Sequence, residues 1–114
     1  METKNKDIRK IVSNILPLNP YRIVLFGSHA EGTQDAESDI DLLVVLDSDS
    51  IAQNYDERMN RRLLVRNSVR EINRRIPMDI LVYTRAEYQY LKSQEATLVN
   101  NIEDNGKTLY EKAG

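Results

Sequence analysis

The spacing of apolar residues along the chain predicts three helices. The first lies before Pro17 and presents apolar side chains three and four positions apart, namely Ile8, Ile11, Val12, Ile15 and Leu16. The same spacing returns over residues 51–75, which contain no glycine or proline, and Pro77 ends this second helix. Thr84 and Glu87 have the spacing of a capping box, which predicts that a third helix begins there and continues through residue 102.

Four apolar, β-branched segments between and after these helices predict strands. They are residues 22–26, 39–46, 78–83 and, as a short last strand, 108–110. Residues 42–46 are apolar without alternation, which predicts burial on both faces and a central place in the sheet. Gly106 is expected to cap the helix that precedes the last strand. This order predicts an α/β (α+β) fold with a small mixed sheet of about four strands packed by helices, in one domain over residues 1–114.

Composition limits the classes of function. The chain has 114 residues with 16 basic and 18 acidic side chains, a net charge of −2, so no overall positive field favours nucleic acid as a partner. It has no cysteine, which excludes disulfides and thiolate metal sites. No apolar run has the length of a signal segment or a bilayer span. We therefore expect a soluble, cytoplasmic protein without membrane contact.

Three aspartates and one turn form the candidate chemistry. Asp39 and Asp41 lie two positions apart on the second strand and so emerge on the same face, where a hard divalent cation such as Mg²⁺ would offset their repulsion. The alternative is a solvated pair of carboxylates at a strand entrance. Asp79 joins the pair if the second and third strands are neighbours. At Gly27 and Ser28, which end the first strand, a phosphate can approach the backbone and a hydroxyl can donate to it.

With these residues in place, the chain resembles a minimal nucleotidyltransferase, of the antitoxin type, in the DNA polymerase β superfamily. The matching segments are LFGSHAEG at 25–32, SDIDLLV at 38–44, MDILV at 78–82 and GKTLY at 106–110. The resemblance implies that Asp39, Asp41 and Asp79 are catalytic and bind two Mg²⁺ ions, and that Gly27 and Ser28 contact the triphosphate of ATP. It departs at His29 and Glu31, where many relatives carry arginine, so the role of His29 stays open.

The resemblance also implies a partner. Stand-alone minimal nucleotidyltransferases resemble the antitoxin of prokaryotic toxin–antitoxin modules, and the expected reaction is transfer of AMP from ATP to a hydroxyl, that of a tyrosine, on a HEPN ribonuclease toxin. One alternative is an antitoxin that neutralises the toxin by binding alone. Another is a nucleotidyltransferase acting on RNA or on a small molecule.

An arginine series in the second predicted helix admits two interpretations. Its members recur every four residues, at Arg58, Arg62, Arg66, Arg70 and Arg74, with Arg61 and Arg75 beside them. They either form a solvated face with local pairs to Glu57 and Glu71, or bind a partner, for which the planar guanidinium is well suited. A surface that binds RNA is a third hypothesis. The acids outside the strand faces, at Asp35, Glu37, Asp47 and Asp49, are interpreted as ordinary loop residues.

Overall fold

The structure is a computed structural model that describes residues 2–27 and 39–113, with side chains from residue 6 onward. Its helices are α1 (Glu2–Ile15), α2 (Tyr55–Ser68), α3 (Arg70–Arg75), α4 (Arg85–Ser93) and α5 (Thr97–Asn105), and a 3-10 turn (Leu16–Leu18) follows α1. Its strands are β1 (Pro20–Phe26), β2 (Ile40–Leu46), β3 (Met78–Thr84) and β4 (Lys107–Glu111). Among the described helices, none is both long enough and apolar enough to cross a bilayer.

The strands form one mixed sheet in the order β3-β2-β1-β4. β1 pairs antiparallel with β2 and with β4, whereas β2 pairs parallel with β3. This confirms the predicted α/β fold with a small mixed sheet. β2 lies inside the sheet, as its unbroken apolar run predicted.

The sheet separates two apolar cores. Leu42 and Val44 point to the face covered by α1, α2 and α3, and Leu43 and Val45 point to the face covered by α4 and α5. None of these four side chains is more than 2% exposed. Because successive side chains of a strand point to opposite faces, a strand covered on both sides must be apolar throughout.

The second predicted helix is two helices, so the expectation of one continuous helix over residues 51–75 is wrong. Val69 leaves the helical conformation (φ −115°, ψ 18°) while its side chain stays fully buried. Beside it, the Ser68 hydroxyl donates to the Val65 carbonyl oxygen at 2.6 Å, a bond that competes with the backbone ladder. The helix also begins later than expected, because the Asn54 side chain accepts from the Glu57 N–H at 2.9 Å and caps it.

The third predicted helix is also interrupted. Thr84 and Glu87 form the predicted capping box at the start of α4, which ends at Ser93. Glu95 then adopts a left-handed conformation (φ 53°), and α5 begins at Thr97. A residue in the left-handed conformation ends a helix. Glycine usually marks such a position in the sequence, but residue 95 is a glutamate, so the break could not be predicted.

Gly106 caps α5 as predicted, but for a different physical reason. Its N–H donates to the Ile102 carbonyl oxygen at 2.8 Å, and its backbone is extended (φ −74°) rather than left-handed. An added Cβ would lie 2.4 Å from that carbonyl oxygen and 2.7 Å from Cγ1 of Val24. Glycine is therefore suited to this position because α5 passes directly against β1.

Candidate active site

Gly27 follows the last residue of β1 in a conformation that favours glycine, with φ at +73°. A Cβ at this position would lie 2.2 Å from Oδ2 of Asp41 and 3.1 Å from its Cγ. The Asp41 carboxylate thus occupies the space that a side chain at position 27 would fill. Both the backbone angle and the neighbouring carboxylate favour glycine here.

The strand register brings Asp79 to the same place. Asp41 is the antiparallel partner of Phe26, the residue before Gly27, and the parallel partner of Asp79 on β3. Neighbouring strands lie about 4.8 Å apart, so the two aspartates leave adjacent backbone positions on one face of the sheet. The neighbour relation between the second and third strands, on which the prediction for Asp79 depended, is present.

Asp39 lies at the same edge, directly before β2, and is exposed. Backbone hydrogen bonding between β2 and the segment leading into β3 extends to this edge, since the Ile40 N–H donates to the Pro77 carbonyl oxygen at 2.9 Å. Ser28 and His29 fall outside the described residues, as do Asp35 and Glu37. Within residues 2–27 and 39–113, no group of three or more histidine or acidic side chains is gathered closely enough to hold a metal ion. The assignment of Asp39, Asp41 and Asp79 as metal ligands stays a prediction.

The chemistry of this edge nevertheless fits a hard divalent cation. Asp79 is exposed and Asp41 is half-buried, and β2 and β3 place the two carboxylates side by side. Like charges on directly paired strand positions destabilise a sheet, and a cation with oxygen ligands removes that penalty. Gly27 leaves room for the Asp41 carboxylate at the end of β1. A shift of side-chain rotamers, without a change of backbone, would direct the carboxylates toward a shared ion.

Asn73 supports the site and was missed by the sequence reasoning. Its Oδ1 accepts the backbone N–H of Met78 at 3.1 Å, which fixes the first residue of β3 directly before Asp79. A side-chain amide that accepts a hydrogen bond from the first residue of a strand, in place of a neighbouring strand, has no distinctive sequence pattern. The only indication in the sequence was a polar residue four positions before Pro77, which ends the helix.

Two of the acids interpreted as ordinary lie at the opposite end of β2 and form ion pairs there. Asp47 accepts from Lys112 at 2.6 Å and from Arg85 at 2.6 Å, and Asp49 pairs with Arg85 at 3.0 Å. The hydrogen bond from Lys112, followed by that from Arg85, lowers the pKa of Asp47 despite partial burial, which acts in the opposite direction. These contacts connect β2, α4 and the end of the chain.

The arginine series divides into paired and unpaired members. Arg61 pairs with Glu87 at 3.0 Å, and the other two pairs are Arg74 with Glu71 at 3.3 Å and Arg75 with Asp7 at 3.1 Å. Within the part of the chain that the structure describes, four arginines form no ion pair: Arg58, Arg62, Arg66 and Arg70. Local pairing therefore accounts for only part of the series.

Comparison with known proteins agrees with this geometry. The curated Methanocaldococcus jannaschii protein named "Putative protein adenylyltransferase MJ0141" is 44% identical over 41 residues, which are 36% of this chain and 41% of that protein. The match thus spans less than half of the relative's length.

Two solved structures share the fold. One is a toxin–antitoxin crystallised with AMP-PNP, which has a TM-score of 0.62 and 24% identity, covering 91% of this chain and 73% of that one. The other is a mutant of the toxin–antitoxin MntA-HpeT, which has a TM-score of 0.51 and 26% identity, covering 96% of this chain and 72% of that one. The sequence model of the nucleotidyltransferase domain family matches residues 6–107. The predicted resemblance is thereby confirmed, and the chain belongs to the nucleotidyltransferase domain family.

Proposed function

We propose that this chain is the antitoxin of a prokaryotic toxin–antitoxin module and transfers AMP from ATP to a tyrosine hydroxyl of a HEPN ribonuclease toxin. The observation that carries the proposal is the register of Asp41 with Asp79 beside Gly27, in a chain of the nucleotidyltransferase family. The likeness to MntA-HpeT supports the toxin–antitoxin setting, and the M. jannaschii relative supports a protein as acceptor.

In this reaction the acceptor oxygen attacks the α-phosphorus of ATP. A bond forms between that oxygen and the phosphorus, the bond from the α-phosphorus to the bridging oxygen breaks, and pyrophosphate leaves with the electron pair. Asp79 is exposed at the start of β3, where its carboxylate can accept the hydroxyl proton as the bond forms. The turn at Gly27 and Ser28 would hold the triphosphate beside Asp41.

Asp39, Asp41 and Asp79 would hold Mg²⁺. Bound there, the metal would lower the pKa of the attacking hydroxyl and neutralise charge on the phosphates. Aspartate oxygens suit this ion because Mg²⁺ binds through one or two protein carboxylates together with substrate phosphates. Asp41 lies beside the Gly27 backbone, so the metal would bind next to the turn proposed to hold the triphosphate.

The test is incubation of the native chain with ATP, Mg²⁺ and a candidate HEPN toxin, followed by measurement of the intact mass of both proteins. We expect AMP added to the partner, and none with Asp41→Asn or without Mg²⁺. Tryptic mapping then identifies the modified side chain. An unmodified partner with the native chain, in a complex that still forms and still blocks the ribonuclease, would leave neutralisation by binding as the function.

A further inference from the structure

The bend between α2 and α3 creates a second feature near the site. A groove of about 380 Å³ lies at this bend and is lined by Leu63, Arg66, Asn67, Arg70 and Asn73. We refer to it as the arginine groove. Its lining residues lie on both sides of Val69, where the helix is interrupted.

The groove is basic although the chain as a whole is not. Residues 55–75 contain seven arginines and three acidic residues, whereas the whole chain has a net charge of −2. Arg66 and Arg70 are exposed and form no ion pair among the described residues. Two guanidinium groups one helical turn apart, with the amides of Asn67 and Asn73 beside them, present donors to an anionic ligand.

Asn73 connects the groove to the start of β3. The same Asn73 side chain that lines the groove accepts from the Met78 N–H at 3.1 Å, and Asp79 is the next residue. The groove lies on the side of the sheet covered by α2 and α3, whereas Asp41 and Asp79 leave the sheet on the opposite side, which is covered by α4 and α5. Because β3 is an edge strand, a protein segment in the groove would pass around that edge to reach Asp79, on the side of Asp41 away from the Gly27 turn.

Apolar side chains beside the arginines indicate what kind of acceptor fits. Leu63 is 43% exposed and Leu64 is 57% exposed, and both lie on α2 next to Arg66. Arginine is enriched in protein interfaces, and the two exposed leucines add apolar area beside it, whereas single-stranded nucleic acid is held largely by aromatic stacking. The described part of the groove contains no aromatic residue.

We propose that the arginine groove binds an acidic segment of the acceptor protein, through carboxylates on Arg66 and Arg70, and so holds the acceptor beside the β3 edge that carries Asp79. This inference rests on the proposed function, because it concerns the acceptor of that reaction. It adds a specificity determinant separate from the metal edge: acidic side chains near the modified hydroxyl.

A titration without ATP or metal tests the groove separately from the chemistry. The probe is a fluorescein-labelled peptide of repeated Glu-Glu-Tyr units, compared with a Gln-Gln-Tyr peptide and with oligouridylate, at low ionic strength by fluorescence anisotropy. We expect the Glu peptide to bind, and R66A/R70A to weaken it by about tenfold or more. Arg74→Ala is the matched control, since Arg74 lies outside the groove and pairs with Glu71.

Three results would overturn the inference: no binding of the Glu peptide, equal binding of the Gln peptide, or equal binding by R66A/R70A. Oligouridylate that binds more tightly than the Glu peptide, and that the double variant loses, would assign the groove to nucleic acid instead. If the Glu peptide binds but no AMP is transferred, the proposed function alone fails. If R66A/R70A still modifies the HEPN partner at the native rate while the Glu peptide does not bind, the groove alone fails.

Discussion

Gly27→Ala separates the structural from the chemical role of the turn after β1. The left-handed angle of +73° costs a residue with a Cβ about 1–2 kcal/mol, and the forced rotamer of Asp41 adds about 0.5–1.5 kcal/mol, so we expect the free energy of unfolding to fall by about 1.5–3.5 kcal/mol. For a chain of this size the melting temperature would drop by about 4 °C for each kcal/mol lost. The new Cβ, 2.2 Å from Oδ2 of Asp41, forces that carboxylate to rotate away. Because misplacing a reacting group by about 1 Å can cost about a hundredfold in rate, we expect AMP transfer to fall at least that far.

Gly106→Ala is the matched control. Its Cβ also meets close neighbours, at 2.4 Å from the Ile102 carbonyl oxygen and 2.7 Å from Val24, but at an ordinary φ of −74° and away from the aspartates. We expect a loss of stability of about 1–3 kcal/mol with transfer per folded molecule unchanged. Urea unfolding and pyrophosphate release, measured on the same preparations, give both quantities.

A double-mutant cycle with Asp41→Ala tests the contact itself. Removing the carboxylate removes the clash, so Gly27→Ala should cost less stability in that background, by the about 0.5–1.5 kcal/mol that a forced rotamer costs. Additive effects, within about 0.5 kcal/mol, would show that Gly27 and Asp41 do not interact. Native rates of transfer by Gly27→Ala would refute the functional argument altogether.

Three further changes test the metal edge, a charged cap and the core. Without Mg²⁺, Asp79→Asn should raise the free energy of unfolding by about 0.2–1 kcal/mol, because it removes a pair of like charges; a lower free energy of unfolding would contradict this. The same variant should lose the rise in melting temperature that Mg-ATP gives the native protein in a thermal-shift assay. Burial alone would raise the pKa of Glu87, but two backbone N–H groups and Arg61 lower it below 4.5. The Glu87 carboxylate therefore stabilises the fold above that pH, and this stabilisation is lost on acidification. In urea titrations, the difference in the free energy of unfolding between the native protein and Glu87→Gln should disappear as the pH falls through the lowered pKa. Ile72→Ala, at a fully buried side chain, should cost about 2–5 kcal/mol in urea unfolding, against less than about 0.5 kcal/mol for Arg74→Ala.

The sequence predicts the sheet better than the helices. A strand that is apolar on both faces, such as β2, has to be covered on both sides. In a small sheet this favours an inner position, so the apolar pattern alone predicted where β2 lies. The helix breaks at Val69 and Glu95 could not be predicted in this way. Both residues lack the glycine or proline signal, and Val69 leaves the helix while keeping a fully buried side chain, which is a consequence of tertiary packing. The arginine groove spans the first of these breaks, and the sequence pattern did not predict it.

The candidate site shows the same division between local and long-range information. Alternation along one strand placed Asp39 and Asp41 on one face. The place of Asp79 required the parallel pairing of β2 with β3, and residues 38 positions apart, such as Asp41 and Asp79, cannot specify that pairing locally. The reason for Gly27 also differs from the sequence argument. Glycine was expected there to let phosphate approach the backbone, and in the structure it also makes room for the Asp41 carboxylate. Under the proposed function, phosphate and metal binding would thus be coupled at one backbone position, so a substitution at Gly27 should impair both together.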